Sequence, residues 1–145
     1  LGQIGLIRKK EGKYVPLRDM ICEAFLDSSQ FTLSGGAVLQ DNTVTLSGAQ
    51  TGSLTTRSYL FMSRSWSRIW AWVHMSGGDA FLSVNGVPMS EIGSRLSSTV
   101  DGVSCLEREY KLDQEGQNDS LSVKLDLSAY TGSTLQVFDF CVFLF

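Results

Sequence analysis

The sequence predicts an all-β domain built as an antiparallel β-sandwich of the jelly-roll kind, and three observations predict it. Ser and Thr supply 29 of the 145 residues, whereas only 19% of the side chains are charged. These hydroxyl side chains compete with the helical backbone, and Thr favours strands. Short segments alternate apolar and polar side chains, as half-buried strands do. Turn residues separate the segments at roughly the 8–12-residue spacing of a sandwich.

The clearest alternating segments lie at 69–75 and 121–127. In the first, the aliphatic side chains point one way and Trp70, Trp72 and His74 point the other. Asn85-Gly86 is a strong signal of a hairpin turn. Residues 135–145 are nearly continuously apolar, so we expect a strand buried on both faces.

Two segments are harder to assign. Residues 87–101 contain Pro88, Gly93 and a Ser-rich tail, so we expect the longest irregular connection of the chain there. Residues 17–25 have the apolar spacing of one short helix, although an irregular strand running into Phe25 fits equally.

The first twenty residues differ in charge from the rest. Residues 1–20 carry five basic and two acidic side chains, a balance of +3, whereas residues 21–145 carry seven basic and thirteen acidic, a balance of −6. Residues 4–17 have the pattern of a hairpin. We therefore divide the chain into an N-terminal hairpin or attachment segment at 1–20 and a β-sandwich domain at 21–145.

Charge and composition exclude several classes of partner. The overall charge of −3 argues against nucleic acid, because a phosphate-binding surface needs a dense basic patch. No apolar run approaches the ~20 residues of a membrane helix, so we expect no membrane insertion. The first residue is Leu and no signal-peptide pattern follows it, so we expect a trimmed chain whose N-terminus does not indicate its compartment.

The cysteines and the single histidine do not predict a zinc site. Cys22, Cys105 and Cys141 lack the spacing of a metal-binding pair, and His74 stands alone. Three cysteines in a domain with an ample core predict either three buried thiols or one disulfide.

We expect a protein that is not an enzyme. A Ser-His-Asp site would depend on His74 alone. Glu107 and Glu109 share a strand face, but Arg108 and Lys111 lie beside them, so a solvated charged face is expected rather than a pair of glycosidase carboxylates.

Several features, taken in chain order, resemble a galactose-binding-like jelly roll over about residues 24–145. This fold is shared by many carbohydrate-binding modules and by accessory domains of phage tail proteins. The features are Gly35-Gly36 with residues 41–46, Gly52 to Thr56, the aromatic segment 69–73, Leu82 to Gly86, the segment 121–127 and the segment 137–142. The hydroxyl-rich, lysine-poor composition resembles phage tail-fibre and baseplate modules.

The resemblance implies glycan binding in loops or on one sheet face, and a structural Ca²⁺. Calcium sites of this family use an acidic residue near the start and an Asp in the final strand. The matching positions are Glu23 and Asp139, with Asp41 a further candidate, and oxygen ligands suit calcium. Residues 1–20 have no counterpart in the family pattern. The alternative is that Asp139 caps or pairs with an arginine.

The tryptophans are the most informative side chains, because sugar C–H faces stack on indole rings while nearby polar groups fix the orientation. Trp70, Trp72 and His74 share one strand face, and Tyr59 lies on the preceding strand. If this face is open, it forms an aromatic platform with polar ends. If it faces the second sheet, it is core, and the mid-strand positions favour core for Trp70 and Trp72.

Trp66 differs from the other two tryptophans. It stands at the beginning of a strand among serines and Arg64, so we expect an exposed indole. The candidate ligand-binding residues are Trp66, Arg64, Tyr59, Trp70, Trp72 and His74.

We therefore expect a non-catalytic virion module, of the phage tail-fibre or baseplate kind, that binds host-surface glycan or serves attachment, located on the virion or outside the cell. One alternative is a purely structural, homo-oligomerising virion protein, in which the basic hairpin and the apolar residues 143–145 contact other subunits. Another is an accessory carbohydrate-binding module of a secreted glycosidase. The expected partner is a glycan or another virion protein.

Overall fold

The computed structural model describes residues 7–10, 13–16, 20–61, 65–100, 103–117 and 119–145. These residues form short strands and one single-turn 3₁₀ helix, Ser28–Gln30. The strands are β1 (Ile7–Lys10), β2 (Lys13–Pro16), β3 (Met20–Glu23), β4 (Phe31–Gly35), β5 (Val38–Gln40), β6 (Thr43–Leu46), β7 (Thr51–Thr56), β8 (Tyr59–Leu60), β9 (Ser65–Trp66), β10 (Ile69–Ser76), β11 (Gly78–Val84), β12 (Val87–Pro88), β13 (Ser90–Val100), β14 (Val103–Leu112), β15 (Gly116–Gln117), β16 (Ser120–Leu121), β17 (Val123–Ala129) and β18 (Leu135–Leu144).

Two antiparallel sheets form a β-sandwich, so the predicted fold class is confirmed. The larger sheet has the order β13-β14-β10-β18-β6-β5, and β3 also pairs with β18. The smaller sheet has the order β12-β11-β17-β7-β4. The central strands β10 and β18 pair over most of their lengths, and β11 and β17 do the same in the other sheet.

The core lies between the two sheets. In β10 the aliphatic side chains predicted to share a face are all buried, and β17 buries its alternating valine and leucines in the same way. The members from the four central strands are Ile69, Ala71, Val73, Met75, Ala80, Leu82, Val84, Val123, Leu125, Leu127, Ala129, Leu135, Val137, Phe140, Val142 and Leu144. Burying this apolar surface is the main favourable term in folding.

Turns predicted from the sequence join the strands. Asn85 and Gly86 have φ values of 49° and 81° and connect β11 to β12, as the Asn-Gly pair predicts. Gly77, with φ of 80°, connects β10 to β11 and carries the chain from the larger sheet to the smaller. A Cβ at Gly77 would collide with the carbonyl oxygen of Thr134, so this crossing requires glycine.

Within the described residues, the N-terminal hairpin pairs with the rest of the chain at β8. β1 and β2 pair antiparallel, and β2 pairs in parallel with β8 at Tyr14 and Tyr59. The short helix considered for residues 17–25 is not formed: Met20–Glu23 is strand β3, while residues 17–19 lie outside the described residues. Pairing with β18 outweighs the weak helical spacing of the segment.

The expected irregular connection at 87–101 was wrong. Its larger part is β13, an edge strand that pairs with β14 through two irregularities in register. Residues 91–96 are exposed on both faces, so this strand has no apolar alternation that a sequence pattern could detect.

The expectation that the last strand is buried on both faces was also wrong. One side of β18 is buried, whereas Phe138, Asp139, Cys141 and Phe143 are only partly buried on the other. The continuous apolar run therefore reflects an apolar patch on the outside of the larger sheet.

A disulfide joins Cys22 of β3 to Cys141 of β18, directly opposite each other in the register. Of the two alternatives for the cysteines, the structure thus contains one disulfide. Cys105 is buried, and its Sγ lies 3.8 Å from the carbonyl oxygen of Leu106. Within the described residues, no helix has the length and hydropathy needed to cross a membrane.

Candidate functional site

The solvent side of β10 and β18 carries a cluster of rings, which we call the outer aromatic face: Trp70, Trp72, His74 and Phe143. The alternation of β10 buries its aliphatic residues, so Trp70, Trp72 and His74 lie on the opposite side and are partly buried. The register places Phe143 beside Trp70 and Cys141 beside Trp72. The preference for placing Trp70 and Trp72 in the core was wrong, because the aliphatic side of the strand fills the space between the sheets.

The rings of this face contact one another. Trp72 and Phe143 have ring centroids 4.9 Å apart at an interplanar angle of 58°, and Trp72 stacks on His74 at 6.4 Å and 25°. Such pairs hold each ring in place at a gain of about 0.5–1.5 kcal/mol beyond area burial. The face is therefore an ordered apolar surface, partly open to solvent.

Ionisable groups close one end of the outer aromatic face. His74 Nδ1 lies 2.5 Å from Asp139 Oδ1, and His74 Nε2 lies 3.9 Å from Glu107 Oε1. Arg95 Nε donates to Glu107 Oε2 at 2.7 Å. The hydrogen bond with Asp139 raises the pKa of His74 above its ordinary value of 6.5. The alternative that Asp139 pairs with an arginine is replaced by this pairing with histidine.

A charged row borders the face along β14. The register sets Lys111 beside Trp70, Glu109 beside Trp72 and Glu107 beside His74. Glu107 is buried and held by Arg95, whereas Glu109 and Lys111 are partly exposed. A ligand lying on the rings would thus have donors and acceptors along one side.

The other end of the face opens into two shallow cavities. The first, of about 370 Å³, is lined by Ser67, Arg68, Trp70 and Phe145. The second, of about 560 Å³, is lined by Ser65, Trp66, Ser67, Glu115, Gly116, Gln117 and Phe145. Ser67 and Phe145 belong to both cavities, so the two are adjacent.

The exposed indole expected at Trp66 was wrong. Trp66 is 6% exposed, packs edge-on against Phe61 at 6.0 Å, and pairs in β9 with Gly116 of β15. A Cβ on Gly116 would collide with the indole, so the glycine allows the backbone of β15 to cover the ring. Gly116 lies 50 residues after Trp66 in the sequence, so no local sequence pattern indicates that β15 covers the indole.

Two other candidate binding residues do not join the face. Tyr59 is fully buried, and its hydroxyl donates to Gln30 Oε1 at 3.3 Å, so it is inaccessible to a ligand. Arg64 lies outside the described residues. Trp70, Trp72 and His74 are the candidates that the structure brings together.

The three candidate calcium ligands do not form one cluster. Glu23 is buried on the core side and accepts a hydrogen bond from the backbone N–H of Phe25 at 2.8 Å. Asp139 faces the opposite side of the sheet toward His74, and Asp41 lies in the exposed turn between β5 and β6. In the described ranges, no group of three or more Asp, Glu, His or Cys side chains is placed to hold a metal. The calcium site stays a prediction.

Sequence reasoning did not place Phe143 beside the tryptophans, and it did not predict the ion pair between Glu107 and Arg95. The signal for Phe143 was the nearly continuous apolar run of the last strand, which holds more apolar side chains than one buried face needs. Arg95 had no such signal, because it lies on the edge strand β13, which is exposed on both faces at residues 91–96.

Comparisons with known proteins add little to this description. No protein-family model matches this chain, and no curated protein matches it. A solved structure similar to it is that of a family two carbohydrate esterase from Cellvibrio japonicus, at 15% identity and a TM-score of 0.41. The match covers 87% of this chain and 34% of the esterase chain, so this chain spans about a third of that protein's length. A likeness at this level carries no argument, and the β-sandwich assignment rests on strand order and core.

Proposed function

We propose that this chain is a non-catalytic β-sandwich module that binds a glycan on the outer aromatic face, and that it serves a virion of the phage tail-fibre or baseplate kind in attachment to a host surface. The observation that carries the proposal is the placement of Trp70, Trp72 and Phe143 on the solvent side of the larger sheet.

The chemistry of this face suits a sugar. The outer side of a sandwich sheet is usually polar, so three aromatic rings there are unusual for a face that only meets water. Pyranose rings present C–H faces that pack on indole, and their hydroxyls need donors and acceptors nearby. Glu109 and Lys111 lie in register beside the rings and would supply them.

The surroundings of His74 support binding rather than catalysis. Both of its ring nitrogens face carboxylates, Asp139 on one side and Glu107 on the other. A general base acting on a hydroxyl nucleophile needs one nitrogen directed at that hydroxyl. The histidine is therefore proposed to order the polar end of the face.

Location on a virion or outside the cell is supported by the disulfide Cys22–Cys141, since disulfides persist mainly in oxidising compartments. The virion assignment itself rests on the hydroxyl-rich, lysine-poor composition.

The proposal is tested by retention on a panel of immobilised host-wall polysaccharides, together with xylan and β-glucan. Retention on wall polysaccharide is the expected result. Retention on xylan or β-glucan alone would favour an accessory module of a glycosidase. No retention, combined with a stable trimer or ring by mass measurement in solution, would contradict glycan binding and favour a purely structural virion protein.

A variant pair locates the binding surface. Trp72→Ala removes the ring that contacts both Phe143 and His74, so we expect affinity to fall at least tenfold. Phe81→Ala is the matched control, because Phe81 is an exposed aromatic residue on β11 of the other sheet. Equal losses in both variants would contradict the proposed site.

A further inference from the structure

We propose that the ligand is an extended glycan chain, which crosses the outer aromatic face along β10 and continues past Trp70 into the adjoining cavities, with Phe145 as the specificity-determining contact. This inference rests on the proposed function and adds the class of glycan: a linear chain of several units rather than a single terminal sugar.

The rings form a continuous path. Trp72 contacts Phe143 at 4.9 Å, and Phe143 contacts Phe145 at 6.4 Å and an interplanar angle of 35°. Trp70 belongs to the face and also lines the first cavity with Phe145. The apolar surface therefore continues from the middle of the sheet into the cavity region.

Phe145 combines an exposed ring with a fixed backbone. Its side chain is 66% exposed. Its backbone N–H donates to the carbonyl of Arg68 at 2.9 Å, and its carbonyl oxygen accepts from the N–H of Ser67 at 2.7 Å and of Arg68 at 3.2 Å. A large apolar ring held in water by an anchored backbone is already positioned for a ligand, which lowers the entropy lost on binding.

The cavities beyond Phe145 offer polar contacts suited to hydroxyl groups. Ser65, Glu115 and Gln117 are exposed along the second cavity. Arg68 Nε donates to Asp113 Oδ1 at 2.9 Å at the border of the first. The cavities are therefore lined by polar side chains, whereas the outer aromatic face is apolar.

The dimensions fit a chain of sugars. Trp70 and His74 are four positions apart on one strand, which corresponds to about 13 Å. A ligand of more than one sugar ring is needed to cover that length. Further units would then reach Phe145 and the cavities.

The inference is tested by the dependence of affinity on chain length, measured calorimetrically with oligosaccharides of two to six units. The probes are xylo-oligosaccharides, β-glucan oligosaccharides and hydrolysis fragments of the host-wall polysaccharides. We expect affinity to rise by roughly tenfold from the disaccharide to the hexasaccharide, the order of one added aromatic contact. Phe145→Ala should remove this rise and leave disaccharide affinity within about twofold of the unaltered protein. Phe81→Ala, with an equally exposed phenylalanine on the other sheet, should keep the rise.

The outcomes separate this inference from the proposed function. Affinity that does not change with length would overturn the extended-chain inference, and a rise that persists in Phe145→Ala would overturn the role of Phe145. In either case, loss of binding in Trp72→Ala would still support the site. Absence of binding by every series would overturn both. A rise in affinity with chain length that is lost in Phe145→Ala and kept in Phe81→Ala would support both the proposed function and the extended-chain inference.

Discussion

His74 and Asp139 join the two central strands of the larger sheet, with Nδ1 and Oδ1 2.5 Å apart at the polar end of the outer aromatic face. His74 also stacks on Trp72, so this pair lies directly beside the aromatic rings. The chain contains one histidine, so its titration can be followed without interference.

The first prediction concerns pH. The hydrogen bond with Asp139 raises the pKa of His74, so the native state favours the protonated ring. Its contribution to the free energy of unfolding is fully present below the unfolded-state pKa of about 6.5 and is lost as pH rises through the folded-state pKa. The difference in unfolding free energy between the protein and His74→Gln should therefore shrink between pH 6 and pH 8.5. An NMR titration of His74 with a midpoint at or below 6.5 would contradict this.

The second prediction concerns the tryptophans. Trp66 is 6% exposed, whereas Trp70 and Trp72 are partly exposed on the outer side. Acrylamide should quench fluorescence from the latter two and leave a protected fraction due to Trp66. Trp66→Phe should remove the protected fraction of the fluorescence. The double variant Trp70→Phe/Trp72→Phe should retain only the protected fraction. Strong quenching of the double variant would contradict the burial of Trp66, and weak quenching of Trp66→Phe would contradict the placement of Trp70 and Trp72 on the outer side.

The third prediction concerns Arg108, which is 9% exposed and links the two sheets. Its Nη2 donates to the carbonyl of Gly78 at 2.9 Å and to Asp79 at 3.0 Å, and its Nη1 donates to Glu91 at 3.2 Å. Arg108→Ala should lower the free energy of unfolding by about 2–3 kcal/mol, because hydrogen bonds to a charged group are lost and a buried carbonyl is left unpaired.

Arg68→Ala is the control for Arg108, since its ion pair with Asp113 is about half exposed on both sides. Exposed pairs contribute less than about 1 kcal/mol. Urea titrations that gave equal effects for the two arginines would contradict the bridging role of Arg108.

The fourth prediction concerns the disulfide. Cys22 and Cys141 close a span of 119 residues, so their replacement by serine should cost about 2–4 kcal/mol, chiefly by freeing the unfolded chain. Denaturant unfolding with and without dithiothreitol measures the same effect. Identical midpoints in both conditions would count against the cross-link between β3 and β18.

The fifth prediction compares two glycines with positive φ. Gly77→Ala and Gly86→Ala both place a Cβ in the left-handed region, at a cost of about 1–2 kcal/mol. Only Gly77 is crowded by Thr134, whereas a Cβ at Gly86 meets open space. The melting temperature should fall clearly further for Gly77→Ala, and equal falls would contradict the tight crossing between the sheets.

The sequence predicted the alternation of β10 but not which side faces the core. Both sides are apolar, one with aliphatic and one with aromatic residues, so periodicity alone does not decide between them. The second sheet decides it, because its leucines and valines pack on the aliphatic side. Trp70 and Trp72 are consequently left outside.

Contacts between distant positions account for the other errors. The burial of Trp66 depends on Gly116, and strand β3 depends on pairing with β18 and on the bond from Cys22 to Cys141. β13 is held by the backbone hydrogen bonds of an edge strand rather than by a buried face. The local alternation of apolar and polar residues detects strands that bury one side. It does not detect contacts between distant residues or an edge strand that is exposed on both sides.

The most direct test of the central claim is an amide ¹H–¹⁵N shift map of the labelled protein titrated with the glycan that retains it. Binding on the outer aromatic face predicts that amides of β10 and β18 around Trp70, Trp72 and Phe143 shift, and that these shifts disappear in Trp72→Ala. Shifts that leave both strands unmoved and cluster elsewhere on the sandwich would contradict the claim.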